Sequence, residues 1–220
     1  MSDCILRMEG IEFGYDANRP VLRGLHLALR AGQRIGLTGA NGCGKSTLLH
    51  LAVGLLRPRK GVIEAYGAPC RTERDFVAVR RRVGLLFQDP NDQLFCPTVL
   101  EETAFGPLNL GMSPEDAKRR AIETLDALDF ADRAHRITHH LSEGEKHLVA
   151  LAGVLAMRPD ALLLDEPSAG LDDGATERII RVLRELPQAL LVVSHQRSFL
   201  DEVVDETWSM AELQGDDQAG

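Results

Sequence analysis

A chain of 220 residues, 44% hydrophobic, 26% charged and 5% aromatic, falls in the range of a compact soluble protein near the upper size for one domain. Its longest mostly apolar stretch without a charge, 148–157, is about half of the ~20 residues that a membrane-spanning helix needs, so any membrane role passes to a partner. The net charge of −8 is the wrong sign for a nucleic-acid partner, and none is expected. The start, Met1-Ser2-Asp3-Cys4, lacks the basic end and apolar centre of a secretory signal, and a cytoplasmic location is expected. Cysteines 4, 43, 70 and 96 have no CxxC spacing and read as reduced thiols, not as a disulfide framework or a zinc site.

In chain order, short strand-like runs come first, at 5–12, 24–29, 34–38 and 61–66, interrupted by one helix over 45–55. The triplet Arg80-Arg81-Arg82, beside Arg71 and Arg74, reads as a solvated helix end. From about 87 to 159 strands become scarce, and the apolar positions of 114–128 and 143–157 recur at helical spacing, which predicts a helical lobe. Residues 161–164 and 189–193 are brief all-apolar runs of the kind buried on both faces of a parallel sheet, with a helix over 174–186 between them. The expected organisation is a single domain over 1–213, its core formed by about 1–87 and 160–213 and its helical lobe by about 88–159. The small, polar, acidic segment 214–220 is expected to be a flexible tail.

The densest chemistry lies at Gly39-Ala40-Asn41-Gly42-Cys43-Gly44-Lys45-Ser46-Thr47, between a strand and a helix, which is the setting that the phosphate-loop pattern requires. Its glycines let successive backbone N–H groups turn toward an anion, and the following helix adds its positive end. Lys45 is expected to neutralise β- and γ-phosphate oxygens of ATP and Ser46 to ligate Mg²⁺. Further along, the buried run Ala161-Leu162-Leu163-Leu164 ends in Asp165-Glu166. In a P-loop protein the first such acid holds the magnesium shell and the next can polarise the attacking water, so Asp165 is the expected metal residue and Glu166 the expected general base.

These residues resemble the ATP-binding cassette family, with elements in the family's order from Tyr15 to His195. The resemblance implies an α/β fold, a P-loop NTPase core in which a parallel sheet is joined by an antiparallel β subdomain, plus a helical subdomain. It also implies that Tyr15 stacks on adenine, that Gln88 reads the γ-phosphate and magnesium, and that His195 is the switch histidine beside the γ-phosphate and its water. Leu141-Ser142-Glu143-Gly144-Glu145 is similar to the family's signature segment, and Ser168-Ala169-Gly170-Leu171-Asp172 to its dimer-contact loop. One P-loop covers one side of ATP. The resemblance therefore implies that a second ATPase subunit, an identical copy or a sister chain, closes head to tail and supplies Ser142 and the Gly144 backbone to the opposite nucleotide.

The family's usual signature is LSGGQ, and this chain departs from it with Glu143 and Glu145. Acids in a first helical turn favour the helix dipole, and at solvent-facing positions they need no other cause. A carboxylate ~8 Å from one phosphate charge would repel it by about 0.5 kcal/mol in water and about 2 kcal/mol at an effective dielectric of 20, enough to slow closure without abolishing it. The dipole account is the favoured one, because Ser142 and Gly144 are intact.

The segments 89–99, 104–111, 139–142, 144–152 and 154–157 are similar to the energy-coupling-factor branch, with its cobalt and nickel uptake ATPases the nearest in likeness. That likeness implies ATP-driven import of cobalt or nickel, or alternatively of biotin or another vitamin. It implies a membrane coupling subunit, a substrate-capture subunit, and a peripheral location on the cytoplasmic face of the membrane. The branch likeness also makes Leu94, Phe95 and Phe105 candidates for a docking groove, the alternative being core packing. His135, His139, His140 and His147 are expected to be a surface cluster, not a metal site. The reading from a different class is a soluble ATP-switched clamp in DNA repair or translation, which the length and acidic balance disfavour.

Overall fold

A computed structural model describes residues 3–16 and 18–214. The elements run β1 (Cys4–Phe13), β2 (Leu22–Arg30), β3 (Arg34–Thr38), α1 (Lys45–Ala52), β4 (Lys60–Ala65), β5 (Ala68–Pro69), α2 (Glu73–Arg80) and β6 (Val83–Leu86). The helical stretch follows with α3 (Val99–Asn109), α4 (Pro114–Ala127) and α5 (Glu143–Ala156). The chain then returns through β7 (Ala161–Asp165), α6 (Asp173–Glu185), β8 (Ala189–Val193), α7 (Arg197–Val203), β9 (Glu206–Ser209) and α8 (Met210–Leu213).

Two sheets result: an antiparallel one in the order β2-β1-β4-β5 and a parallel one in the order β6-β7-β8-β3-β9. This is the expected α/β combination of a parallel sheet, an antiparallel β subdomain and helices. Every residue of β7 and β8 is buried, but the two faces of these strands serve different cores. Ala161, Leu163, Ala189, Leu191 and Val193 face a core shared with α1 and the antiparallel sheet. Leu162, Leu164, Leu190 and Val192 face a second core built with α5, α6 and α7. The strand period of two thus divides each all-apolar run between two layers.

The helices start where the sequence offers caps. Thr98 with Glu101, and Ser142 with Glu145, form reciprocal capping boxes that satisfy the first free N–H groups of α3 and α5. Ser113 and Asp172 cap α4 and α6. Helix α1 stops at Ala52, three residues short of the expected end, and Gly54 follows with φ +74°.

Several elements go beyond the expectation: α2, β6, α3, α7 and the edge strand β9. The arginine triplet does mark a helix end, but it is not simply solvated. Arg80 donates to the Val53 carbonyl at 3.0 Å, and Arg82 lies 3.5 Å from the centre of the Tyr66 ring while donating to Asp160 at 2.7 Å. Of the expected tail, 215–220 lies outside the described residues. Gln214 is held by the Arg23 N–H, which donates to its Oε1 at 3.0 Å.

Gly84 sets the approach of α5 to β6. A Cβ there would sit 2.4 Å from Val154 Cγ1 and 3.2 Å from Pro159 Cγ. Gly84→Ala should therefore lower unfolding stability by about 1–3 kcal/mol, the usual cost of overpacking. Adding Val154→Ala should restore part of that loss in a denaturant titration, because it removes the opposing methyl groups.

Candidate nucleotide site

Four segments leave the carboxyl ends of adjacent parallel strands, where open α/β sheets bind ligands, and Tyr15 joins them from the end of β1. β6 leads to Gln88, β7 ends in Asp165 and continues to Glu166, β8 leads to His195, and β3 leads into the loop 39–44. The sheet order therefore gathers residues that lie far apart in the chain. Tyr15, Asn41, Gly42, Gly44, Lys45, Ser46, Thr47, Gln88, Asp165, Glu166 and His195 line one cavity of about 520 Å³.

The loop is built by backbone conformations that favour glycine. Gly42 has φ +75°, and Gly44, which caps α1, has φ +102°. A Cβ on Gly44 would also strike Leu22 Cδ2 at 2.7 Å and Val21 Cγ1 at 2.9 Å. Lys45 is buried, and its ammonium donates to the carbonyls of Gly39 at 2.8 Å and Ala40 at 3.0 Å. Gly39 and Cys43 do not line the cavity. Cys43 packs against the core behind the loop, 2.8 Å from where a Gly39 Cβ would sit. At the mouth, the Tyr15 ring is 66% exposed and meets Phe13 edge-on, and its hydroxyl lies 3.1 Å from Thr47 Oγ1.

Asp165 is only 3% exposed, and burial pushes its pKa up; its hydrogen bond to Ser46 and the nearby His50, Lys45 and His195 work against that shift. Glu166 is held at φ +50°, a left-handed conformation that costs a residue with a side chain, while its N–H donates to the Val193 carbonyl of the neighbouring strand at 2.9 Å. Its Oε2 accepts from the His195 backbone N–H at 3.3 Å. Its Oε1 is buried without a hydrogen bond, and His195 Nε2 stands 3.4 Å from it. One carboxylate oxygen thus carries no hydrogen bond and lies against the imidazole.

Ser142 and Gly144 are not among the residues lining this cavity. Ser142 caps α5, and a Cβ on Gly144 would lie 3.1 Å from the Gly170 carbonyl and 3.3 Å from Leu171 Cδ2. Gly144 thus fits closely against the loop 168–172 of its own chain. The two unusual acids are both engaged. Glu145 closes the Ser142 capping box and pairs with Arg133 at 2.6 Å and Arg136 at 2.7 Å, so it is not simply solvent-facing. Glu143 pairs with Lys146 at 2.6 Å, and that hydrogen bond holds its carboxyl below the usual carboxylate range. Neither acid presents an uncompensated charge to an incoming phosphate.

A second, apolar cavity of about 230 Å³ opens between the core and the helical stretch, with Leu85, Phe87, Phe95, Phe105, Val154 and Met157 among its walls. Phe95 and Phe105, expected there, meet edge to face at 4.6 Å. Leu94 does not line it and packs against the second core. Sequence reasoning missed Glu102 in this wall. Glu102 is buried and accepts from the backbone N–H groups of Phe95 at 2.8 Å and Cys96 at 2.6 Å, a role that only the fold discloses. The expected histidine cluster is also corrected. His135, His139 and His140 are exposed, but His147 is 2% exposed on the inner side of α5. Among the described residues no group of three or more His, Cys, Asp or Glu side chains is placed to hold a metal ion.

A profile described as ABC transporter matches residues 22–169. The chain belongs to the ABC transporter family. It is 51% identical over 197 residues, 89% of this chain and 72% of the relative, to a putative ABC transporter ATP-binding protein of Nitratidesulfovibrio vulgaris. It is 38% identical over 209 residues, 93% of this chain and 67% of the relative, to the energy-coupling factor transporter ATP-binding protein EcfA of Methanothermobacter thermautotrophicus. To the cobalt import ATP-binding protein CbiO of Rhodobacter capsulatus it is 46% identical over 186 residues, 84% of this chain and 66% of the relative. Among solved structures, cbiO1 of Clostridium perfringens, described as part of the ABC transporter complex cbiONQ, superimposes with a TM-score of 0.82 at 31% identity, covering 96% of this chain and 86% of that one. This ABC cassette is an ATPase, the ATP-binding subunit of a transporter, and no helix among its described residues is long and apolar enough to cross a membrane.

The buried Asp165 gives a pH-dependent test. Its folded pKa is raised above the unfolded value, so the ionised form opposes folding once pH exceeds the unfolded value of about 3.9. Asp165→Asn should raise Tm at pH 7.5, with a gain that shrinks as the pH approaches 4; a Tm gain that is flat with pH would contradict the assigned cause.

Proposed function

We propose that this cassette is the ATP-hydrolysing subunit of an energy-coupling-factor importer. It works as a pair, with an identical or sister ATPase, on the cytoplasmic face of the membrane beneath a coupling subunit that serves a substrate-capture protein. The observation that carries the catalytic assignment is the Glu166 carboxylate, one oxygen of which has no hydrogen bond, lining the same cavity as the phosphate-loop lysine. In this reading the N–H groups of loop 39–44 and the N-terminus of α1 hold the phosphates, and Lys45 exchanges its bonds to Gly39 and Ala40 for phosphate oxygens. Tyr15 lies under the base. Ser142 and the Gly144 backbone complete the site of the partner subunit.

Asp165, Ser46 and Gln88 offer a carboxylate, a hydroxyl and an amide, hard oxygen donors that suit Mg²⁺, and the buried charge of Asp165 calls for a cation. When bound, the ion would neutralise charge on the β- and γ-phosphates. Glu166 Oε1 accepts the proton of the attacking water, and His195 orients that water and the γ-phosphate. Phosphate release then removes the contacts that favoured the closed pair. The apolar cavity bounded by Phe95 and Phe105 suits the insertion of a short helix from the coupling subunit. Cobalt is the cargo that the name of the CbiO relative supports, with nickel as the chemically similar alternative.

Glu166→Gln should retain ATP binding while hydrolysis falls at least ~100-fold, the usual contribution of a general base; turnover near wild type would exclude Glu166 from that role. For the cargo, cells lacking the protein should lose uptake of labelled cobalt or nickel. Loss of labelled biotin uptake with metal uptake intact would redirect the assignment.

A further inference from the structure

A closed triangle of side chains joins the start of α5 to the turn that follows Gln88. Asp89 Oδ1 accepts from Asn91 N at 2.8 Å and from Asn91 Nδ2 at 2.9 Å, which fixes the amide. Asn91 Nδ2 also donates to Glu143 Oε2 at 3.2 Å, and Asn91 Oδ1 accepts from Lys146 Nζ at 2.9 Å. Lys146 Nζ closes the triangle on Glu143 Oε1 at 2.6 Å. Both ends of the Asn91 amide and both oxygens of Glu143 are used, so little rotational freedom remains. His147 is buried alongside, and the charges of Asp89 and Glu143 act on it.

Neither element requires this link in order to form. Helix α5 has its own capping box from Ser142 and Glu145, and the 3₁₀ turn Pro90–Asp92 has its own cap in Asp89. What the triangle connects is therefore informative. Gln88 precedes Asp89 directly and lines this chain's own nucleotide cavity. Ser142 precedes Glu143 directly and, in the head-to-tail reading above, belongs to the partner subunit's site. The link spans from one ATP site to the other within a single chain, through the residue, Glu143, that departs from the family's usual signature.

We propose that Asn91, Glu143 and Lys146 are positioning residues that couple the two ATP sites: engagement of nucleotide by Gln88 on one side sets the position of Ser142 on the other. The proposal rests on the paired-ATPase reading. Glu143 is then a mechanical connection and not a repulsive charge. Because the three groups act as a unit, removing any one should remove the whole effect, and removing two should do no further harm.

The test is ATP titration of hydrolysis by the full chain, with dimer formation followed in the Glu166→Gln background. The wild-type rate should rise with a Hill coefficient above one. Asn91→Ala and Lys146→Met should each bring the coefficient to about one and lower kcat about fivefold, the low end of coupling between sites, with KM little changed. The double variant should match the singles, Glu143→Gln, which leaves one acceptor where two are used, should fall with them, and Tm should stay near wild type. A cooperative wild type whose cooperativity survives both single variants, or losses that multiply in the double variant, would overturn the coupling alone. A wild type with a Hill coefficient of one, together with no ATP-dependent dimer in the Glu166→Gln background, would overturn the paired reading and the coupling with it.

Discussion

In the proposed reading, the grip on a triphosphate's negative charge is what the rest of the site depends on. Backbone N–H groups can surround an anion only where residues turn through conformations that side chains disfavour, hence Gly42 and Gly44 in left-handed φ. The cation must be close yet remain available. Lys45 meets both requirements, since its ammonium is buried but bonded to two loop carbonyls that a phosphate can replace. Those carbonyls hold the charge at the cradle when no anion is there, and they spare the folded chain an unpaired buried ammonium.

Sheet order then supplies the remainder of the site. With β7 and β8 between β6 and β3, the segments carrying Gln88, Asp165, Glu166 and His195 emerge side by side facing the loop after β3. The helical stretch between β6 and β7 interrupts the chain without interrupting the sheet, because those two strands pair in unbroken parallel register. That separation allows the apolar cavity and the start of α5 to serve other surfaces while Gln88, at the root of the same stretch, still lines the nucleotide cavity.

What was legible in the sequence follows from where each signal resides. The phosphate loop, the all-apolar strands and Asp165-Glu166 are contiguous, and each carries its own physics, so they could be read in place. Strand β9 could not. It is an edge strand with two exposed residues, Glu206 and Thr207, and it lacks the apolar run of its neighbours. Helix α3 includes Pro107, and Gly106, where a Cβ would meet Met157 Cγ at 2.5 Å, so its composition argues against the helix that packing imposes. His147 was misjudged because it follows three exposed histidines in the chain; its burial is set by the turn at Pro90–Asp92 folding onto α5, a contact between distant segments. The arrangement at Glu102 was hidden for the same reason, since a carboxylate in a helix looks solvated until a loop is laid over it.

The site also keeps features that a stable fold alone would discard. Asp165 is buried at a cost to its ionised form, Glu166 adopts a left-handed backbone, and Glu166 Oε1 has no hydrogen bond. All three lie at one strand end, where the Glu166 N–H is anchored to Val193 and the flanking β7 and β8 are wholly buried. The strain is affordable because it sits at the edge of the best-packed part of the molecule. In the proposed reading, leaving one oxygen without a hydrogen bond, 3.4 Å from an imidazole nitrogen, suits a group whose partner is a water molecule about to react.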